Sequence, residues 1–353
     1  MGRVLGHRGE ATGRKCQDGG VNFPRLVERM DRHQIGLYFG ALLAGAVIGW
    51  FLPAAAPAFE FSVNPALGAL LYTTFLGIPF GRLIQALHDG RFMAAVLVLN
   101  FLLVPVVVYV LTRFIAGEQA LLVGVSMVLL TPCIDYVIVF SGLAGGSSDR
   151  LLAAAPVLML LQMLLLPLYL LVIVGPGIGS VLEPGPFLAA LVWLILVPLV
   201  LAVMTQAASR NSDAAGKFTR FVQDLMVPLM MLTLAVVVGS QISAVGGQLP
   251  SLLPVVPLYA AFLAVMVPLG LGLAKAFRLD VPGTRAVIFS GATRNSLVVL
   301  PLALVLPAPL GLAPLAVVTQ TLVELAGMLL LVRLIPRLVR APERSACQHQ
   351  PEA

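Results

Sequence analysis

Charge is scarce in this chain of 353 residues. Asp, Glu, Lys and Arg make up 11% of it, against about 25% in a soluble domain. With 59% hydrophobic residues and a mean hydropathy of +1.00, the chain carries more apolar surface than a soluble fold could hide, and a lipid bilayer is the partner that suits it. Cysteine is scarce as well. Cys16 and Cys347 lie in polar tails and Cys133 in an apolar stretch, an odd and scattered set that excludes a disulfide framework or a structural zinc site. The four histidines (His7, His33, His88 and His349) sit in tails or short loops. His-x-x-Glu-His, Gly-x-Ser-x-Gly and paired-aspartate motifs are absent, which argues against a membrane-embedded enzyme. A nucleotide-binding loop is absent too, so ATP would have to come from a separate partner.

The formal net charge is +6, but aromatic residues do not interleave with the basic ones, so no nucleic-acid partner is expected. The surplus fits the positive bias of membrane-protein loops. The first 34 residues are basic and polar without an early apolar run, which is not a cleavable signal peptide. The expectation is a cytoplasmic tail over 1–34 and another over 341–353.

A span needs about 20 mostly apolar residues. Such runs lie near 35–53, 66–86, 91–114, 119–144, 151–175, 187–205, 222–243, 252–276, 285–308 and 313–336. Basic residues alternate between connections. Arg25, Arg29 and Arg32 precede the first span, and Arg82 and Arg91 join the second to the third. Arg150 follows the fourth, Arg210, Lys217 and Arg220 the sixth, Lys275, Arg278 and Arg285 the eighth, and Arg333, Arg337, Arg340 and Arg344 the last. The opposite side holds Arg113 with Glu60, Glu118 and Glu183. This alternation predicts a multi-pass protein of the plasma (inner) membrane with both termini cytoplasmic.

Ten spans divide into two groups of five, 35–175 and 176–340, and an odd number per group inverts one relative to the other. The fourth span contains Thr131-Pro132-Cys133-Ile134-Asp135 and the ninth Thr293-Arg294-Asn295-Ser296, each a polar interruption near mid-span. The following spans carry a buried amide each, Gln162 and Gln320. Proline recurs inside spans at Pro105, Pro132, Pro167, Pro198, Pro228, Pro268 and Pro301. Most of these are read as packing kinks. Pro132 stands apart because polar residues flank it. Gly36-x-x-x-Gly40 and Gly45-x-x-x-Gly49 in the first span allow close helix contact, either within the chain or in a homodimer.

A charge at the bilayer centre costs about 2.5–3.5 kcal/mol, so the deep ones need a reason. They are Asp135, Arg294 and Glu324, with Asp224 nearer the start of the seventh span. Asp135 and Arg294 occupy matching interruptions, and either lock a crossing as an ion pair or bind solute or a coupling ion. Glu324 shares a helix face with Gln320 and either fixes packing or carries a coupling proton. Cys133 follows a proline at a helix break, where helix ends and cations favour a thiolate. Soft thiolates select soft metals and metalloids, and one thiolate binds loosely, as transport requires. Thr131, Thr293, Asn295 and Ser296 add oxygen and amide groups. These suit a neutral hydroxylated solute, or a sodium ion. No resident cofactor is expected beyond a proton or sodium ion as coupling ion.

The segment from Thr131 to Asp135, with Phe140 to Gly146 and Ser290 to Ser296, resembles the arsenite-efflux permeases, the arsenical-resistance branch of the bile acid:sodium symporter superfamily. The likeness extends over 35–336. It implies an all-α membrane fold of ten helices, a panel and a core domain, and broken helices four and nine that cross beside the binding site. It also implies that Cys133 falls on a required cysteine. The ninth-span glutamate of those permeases is missing from Arg294-Asn295-Ser296-Leu297, so Asp135 or Glu324 would take its role in a divergent subgroup. The expectation is a secondary transporter exporting arsenite or a related trivalent metalloid, driven by protons. The alternative is a sodium-coupled symporter of an organic anion, with Arg294 on its carboxylate or sulfonate.

Overall fold

The computed structural model describes residues 23–77, 89–134, 136–175 and 192–340. Among them every regular element is helical, and the only strand-like pairing is one isolated bridge, between Pro132 and Arg294. In chain order the helices are α1 (Phe23–Phe51), α2 (Ala56–Gly77), α3 (Gly90–Ile115), α4 (Gln119–Leu129), α5 (Tyr136–Leu143) and α6 (Ser148–Val174). Then come α7 (Val197–Ser209), α8 (Asp213–Asp224), α9 (Met226–Gly247), α10 (Leu249–Ala276), α11 (Val281–Ala292), α12 (Ser296–Leu304) and α13 (Leu312–Leu338). The tails before Phe23 and after Arg340 lie outside the described residues, as do 78–88 and 176–191. With them go Cys16, Cys347, Arg82, Glu183 and Arg344. Helix α1 begins at Phe23, inside the stretch 1–34 read as a tail.

Short polar side chains start several helices. Asp89 accepts from Phe92 N (3.2 Å) at the start of α3, and Asp280 accepts from Gly283 N (3.2 Å) at the start of α11. Each satisfies a donor that the first turn leaves without a partner. The helices sort into two groups by contact. In one, α9 packs along α1 and α2, and α7 along α2 and α8. In the other, α4 packs on α13, α10 on α11 and α13, and α6 on α4 and α5. Small residues set the closest approaches. A β-carbon at Gly45 would stand 2.8 Å from Ala235 Cα, and one at Gly124 would stand 2.7 Å from Ala313 Cα. The Gly45–Gly49 motif therefore serves packing within the chain, against α9. Gly36 and Gly40 meet nothing within 4 Å.

Large apolar side chains cover the outside. Leu164, Trp193 and Leu330 are 72%, 71% and 68% exposed, which suits lipid and not water. Among the described residues, four helices are long and apolar enough to cross a membrane: α3, α6, α10 and α13. The count becomes six if the bent pairs α1 with α2 and α8 with α9 each form one span. The broken pairs α4–α5 and α11–α12 fall short individually. The 11 residues of α4 reach only about 17 Å at 1.5 Å per residue, half of a hydrocarbon core of about 30 Å.

One end of the molecule is tied by arginine. Arg150, at the start of α6, donates to both oxygens of Asp280 (2.7 and 3.2 Å) and lies 3.3 Å from Asp89 Oδ2. Arg285 donates to Val339 O (2.7 Å) and Ala144 O (2.9 Å). Connections that the charge alternation assigns to one side thus meet at one end.

Candidate functional site

The two polar interruptions meet. Asn295 N donates to Thr131 O at 2.8 Å, and Cys133 N donates to Thr293 O at 3.3 Å, on either side of the Pro132–Arg294 bridge. The pairing is two-fold symmetric. Thr131 corresponds to Thr293, Pro132 to Arg294 and Cys133 to Asn295, and each residue pairs with the counterpart of its partner's equivalent. The two helices also end alike. Thr131 Oγ1 donates to Met127 O (2.7 Å), and Thr293 Oγ1 donates to Phe289 O (2.8 Å), four residues back in each case. Proline supplies no N–H to continue α4, and Thr293 adopts extended backbone (φ −90°, ψ 138°) that ends α11. Peptide groups freed at mid-membrane must find partners inside the protein, and here each break satisfies the other. Asn295 then opens α12, its side chain accepting from Val298 N at 3.2 Å.

The side chains here are sealed off. Cys133 and Arg294 are fully buried, and Thr131, Asn295, Ser296, Gln320 and Glu324 are nearly so. Glu324 of α13 reaches the crossing. Its Oε1 lies 2.7 Å from Tyr136 Oη, and its Oε2 accepts from Arg294 N (2.9 Å) and from Gln320 Nε2. Tyr136 Oη also donates to Arg294 O at 2.8 Å. Ser296 Oγ accepts from Thr321 Oγ1 at 2.8 Å. Asn295 Nδ2 and Gln320 Oε1 have no hydrogen-bond partner among the described residues. Such orphaned buried atoms are uncommon and leave capacity for a polar guest.

Arg294 has a second set of contacts. Its Nη2 donates to Asn100 Oδ1 (2.8 Å), Ser290 O (2.7 Å) and Gly291 O (2.6 Å), and its Nη1 to Leu129 O (3.2 Å). Phe262 lies under the guanidinium, 5.4 Å from Cζ to ring centroid, a favourable cation–π placement. The expected partner, Asp135, lies outside the described residues. Gln162 is buried as expected, and neither amide atom has a partner among the described residues.

Two residues of this site were missed in the sequence. Asn100 sits in the π-helical segment Leu99–Leu103 of α3, donating to Val96 O and to Ser290 Oγ. Its signal was available, as a lone amide inside an otherwise apolar span. Tyr136 was overlooked beside Asp135.

Two half-length helix pairs whose broken tips meet in a buried polar centre, inside an apolar shell, define a secondary transporter. The model of the SBF-like CPA transporter family (DUF4137) matches residues 38–335, and the chain belongs to that family. The family lies within the bile acid:sodium symporter-like transporters. No curated protein matches the chain. The chain is accordingly a multi-pass membrane transporter, in agreement with its apolar helices.

Proposed function

We propose that this carrier exports arsenite or a related trivalent metalloid across the plasma membrane, driven by the proton gradient, with the crossing as its solute site. The single observation that supports this most is the position of Cys133. Its main chain is pinned to Thr293, so the one intramembrane thiol stands at the meeting point of the two breaks. Thr131, Asn295 and Ser296 surround it with hydroxyl and amide groups that suit a neutral hydroxylated solute, and the thiolate is its transient soft ligand. Glu324, held by Tyr136 and Gln320, takes the proton-carrying role, with Asp135 as the alternative carrier. The chain crosses the membrane ten times in two inverted five-helix repeats, 35–175 and 176–340, both termini on the cytoplasmic side. The symmetric pairing at the crossing speaks for that inversion.

The second reading, sodium-coupled uptake of an organic anion, needs Arg294 to face the solute. Both its terminal nitrogens are instead turned to protein oxygens, which weighs against it. Expression in an arsenite-sensitive, pump-deficient cell decides. Export raises tolerance and lowers cellular arsenic, and Cys133→Ala removes both effects. Sodium-dependent uptake of a labelled organic anion that is insensitive to Cys133→Ala would replace this reading with the second.

A further inference from the structure

The guanidinium of Arg294 is unevenly met: Nε has no partner among the described residues, while Nη2 faces more oxygens than its hydrogens can match. Nη2 carries two hydrogens and faces three acceptors, Asn100 Oδ1, Ser290 O and Gly291 O, at 2.8, 2.7 and 2.6 Å. Leu129 O closes the set from the other nitrogen at 3.2 Å. A side chain placed for hydrogen bonding alone would pair donors and acceptors one to one. This crowding of neutral oxygens around a positive charge has the form of an ion's coordination shell.

The sources of the oxygens point the same way. Leu129 ends α4, and Ser290 and Gly291 lie in the last turn of α11. Both half-helices thus aim their negative dipole ends at one point. Carbonyls at such half-helix ends are the groups with which carriers hold a coupling cation. Asn100 is oriented for this task, since its Nδ2 is spent on Val96 O and Ser290 Oγ, leaving Oδ1 to the guanidinium. Among the described residues no carboxylate pairs with the guanidinium. Glu324, the nearest acid described, takes the main-chain N–H of Arg294 instead.

We infer that the Arg294 guanidinium is a tethered cation that permanently fills a monovalent-cation site, so that this carrier needs no sodium ion at the crossing. The inference rests on the reading of the crossing as the transport site, and it assigns coupling to the proton alone. The four oxygens are uncharged and fixed by main chain or by Asn100, so a vacated cage would replace the hydration shell of a hard monovalent cation.

The test is thermal unfolding of the full-length purified protein, with sodium chloride exchanged for choline chloride at constant ionic strength. The wild type and Arg294→Lys, which keeps the charge, are expected to melt at the same temperature in both salts. Arg294→Ala is expected to melt lower in choline and to recover by a few degrees, saturably, as sodium rises. A saturable sodium-dependent rise in the wild type or in Arg294→Lys overturns the inference. So does a folded Arg294→Ala that ignores sodium. Should Arg294→Ala fail to fold, the wild type and Arg294→Lys decide alone. The melting result is independent of the solute, so a failed arsenite assay leaves it standing and the two readings fail separately.

Discussion

The hydroxyl of Tyr136 lies 2.7 Å from Glu324 Oε1 and is the only side-chain group that joins α5 to that carboxyl among the described residues. The same hydroxyl is 2.8 Å from Arg294 O, and it owns one hydrogen. If that hydrogen goes to Arg294 O, Tyr136 can only accept from Glu324, which must then be protonated. If it goes to Glu324, the acid is ionised and Arg294 O loses a donor. Protonation of Glu324 is therefore linked to the bonding of the crossing itself.

Tyr136→Phe breaks this linkage while keeping the ring. One buried acceptor loses its donor, at a cost of about 1–3 kcal/mol. Transport is expected to lose most of its pH dependence while protein remains in the membrane. Proteoliposome flux at several pH values, with a denaturation curve alongside, checks both parts.

Glu324→Gln mimics the protonated acid and cannot release a proton. Its amide can still accept from Arg294 N and Gln320 Nε2 and donate to Tyr136, so the stability change is expected to stay below about 1 kcal/mol. Transport should fall by at least about tenfold, a loss of about 1.4 kcal/mol in transition-state terms. Normal flux with a normal pH profile in this variant would remove Glu324 from the coupling scheme.

Cys133→Ala deletes one buried sulfur, and the resulting small cavity costs less than about 2 kcal/mol. The protein should be made at near-normal levels while arsenite tolerance disappears. Comparing membrane abundance by immunoblot with growth on arsenite separates a binding role from a packing role.

The two glycine motifs of α1 should respond differently. Gly45→Leu drives a side chain into the backbone of Ala235 and is expected to destabilise by about 1–3 kcal/mol. Gly36→Leu enters open space and should change stability by no more than about 0.5 kcal/mol. If Gly36→Leu shifts the oligomeric state seen by light scattering, that half of α1 is a contact between chains.

Both mid-span interruptions were legible because polar residues are conspicuous in apolar runs, and Thr131 and Thr293 end their helices as their matching positions suggest. Cys133, Asn295, Ser296, Gln320 and Glu324 do gather at one place. What lay beyond the sequence was the company Arg294 keeps. An isolated charge suggests a carboxylate partner, but four carbonyl-type oxygens leave no mark in a sequence, three of them being main chain. Helix α8 was missed for another reason. Arg210, Lys217 and Arg220 made that stretch read as a connection, although Phe218, Phe221 and Val222 give it an apolar face at helical spacing.

The two-fold pairing at the crossing keeps both breaks bonded at mid-membrane: Asn295 N stays on Thr131 O and Cys133 N on Thr293 O, where an amide left without a partner would cost several kcal/mol. Pro132, at the centre of the pairing, has no amide hydrogen to place. Arg294, opposite it, has one and hands it to Glu324, so a change in the charge of that carboxyl reaches the main chain of the crossing directly.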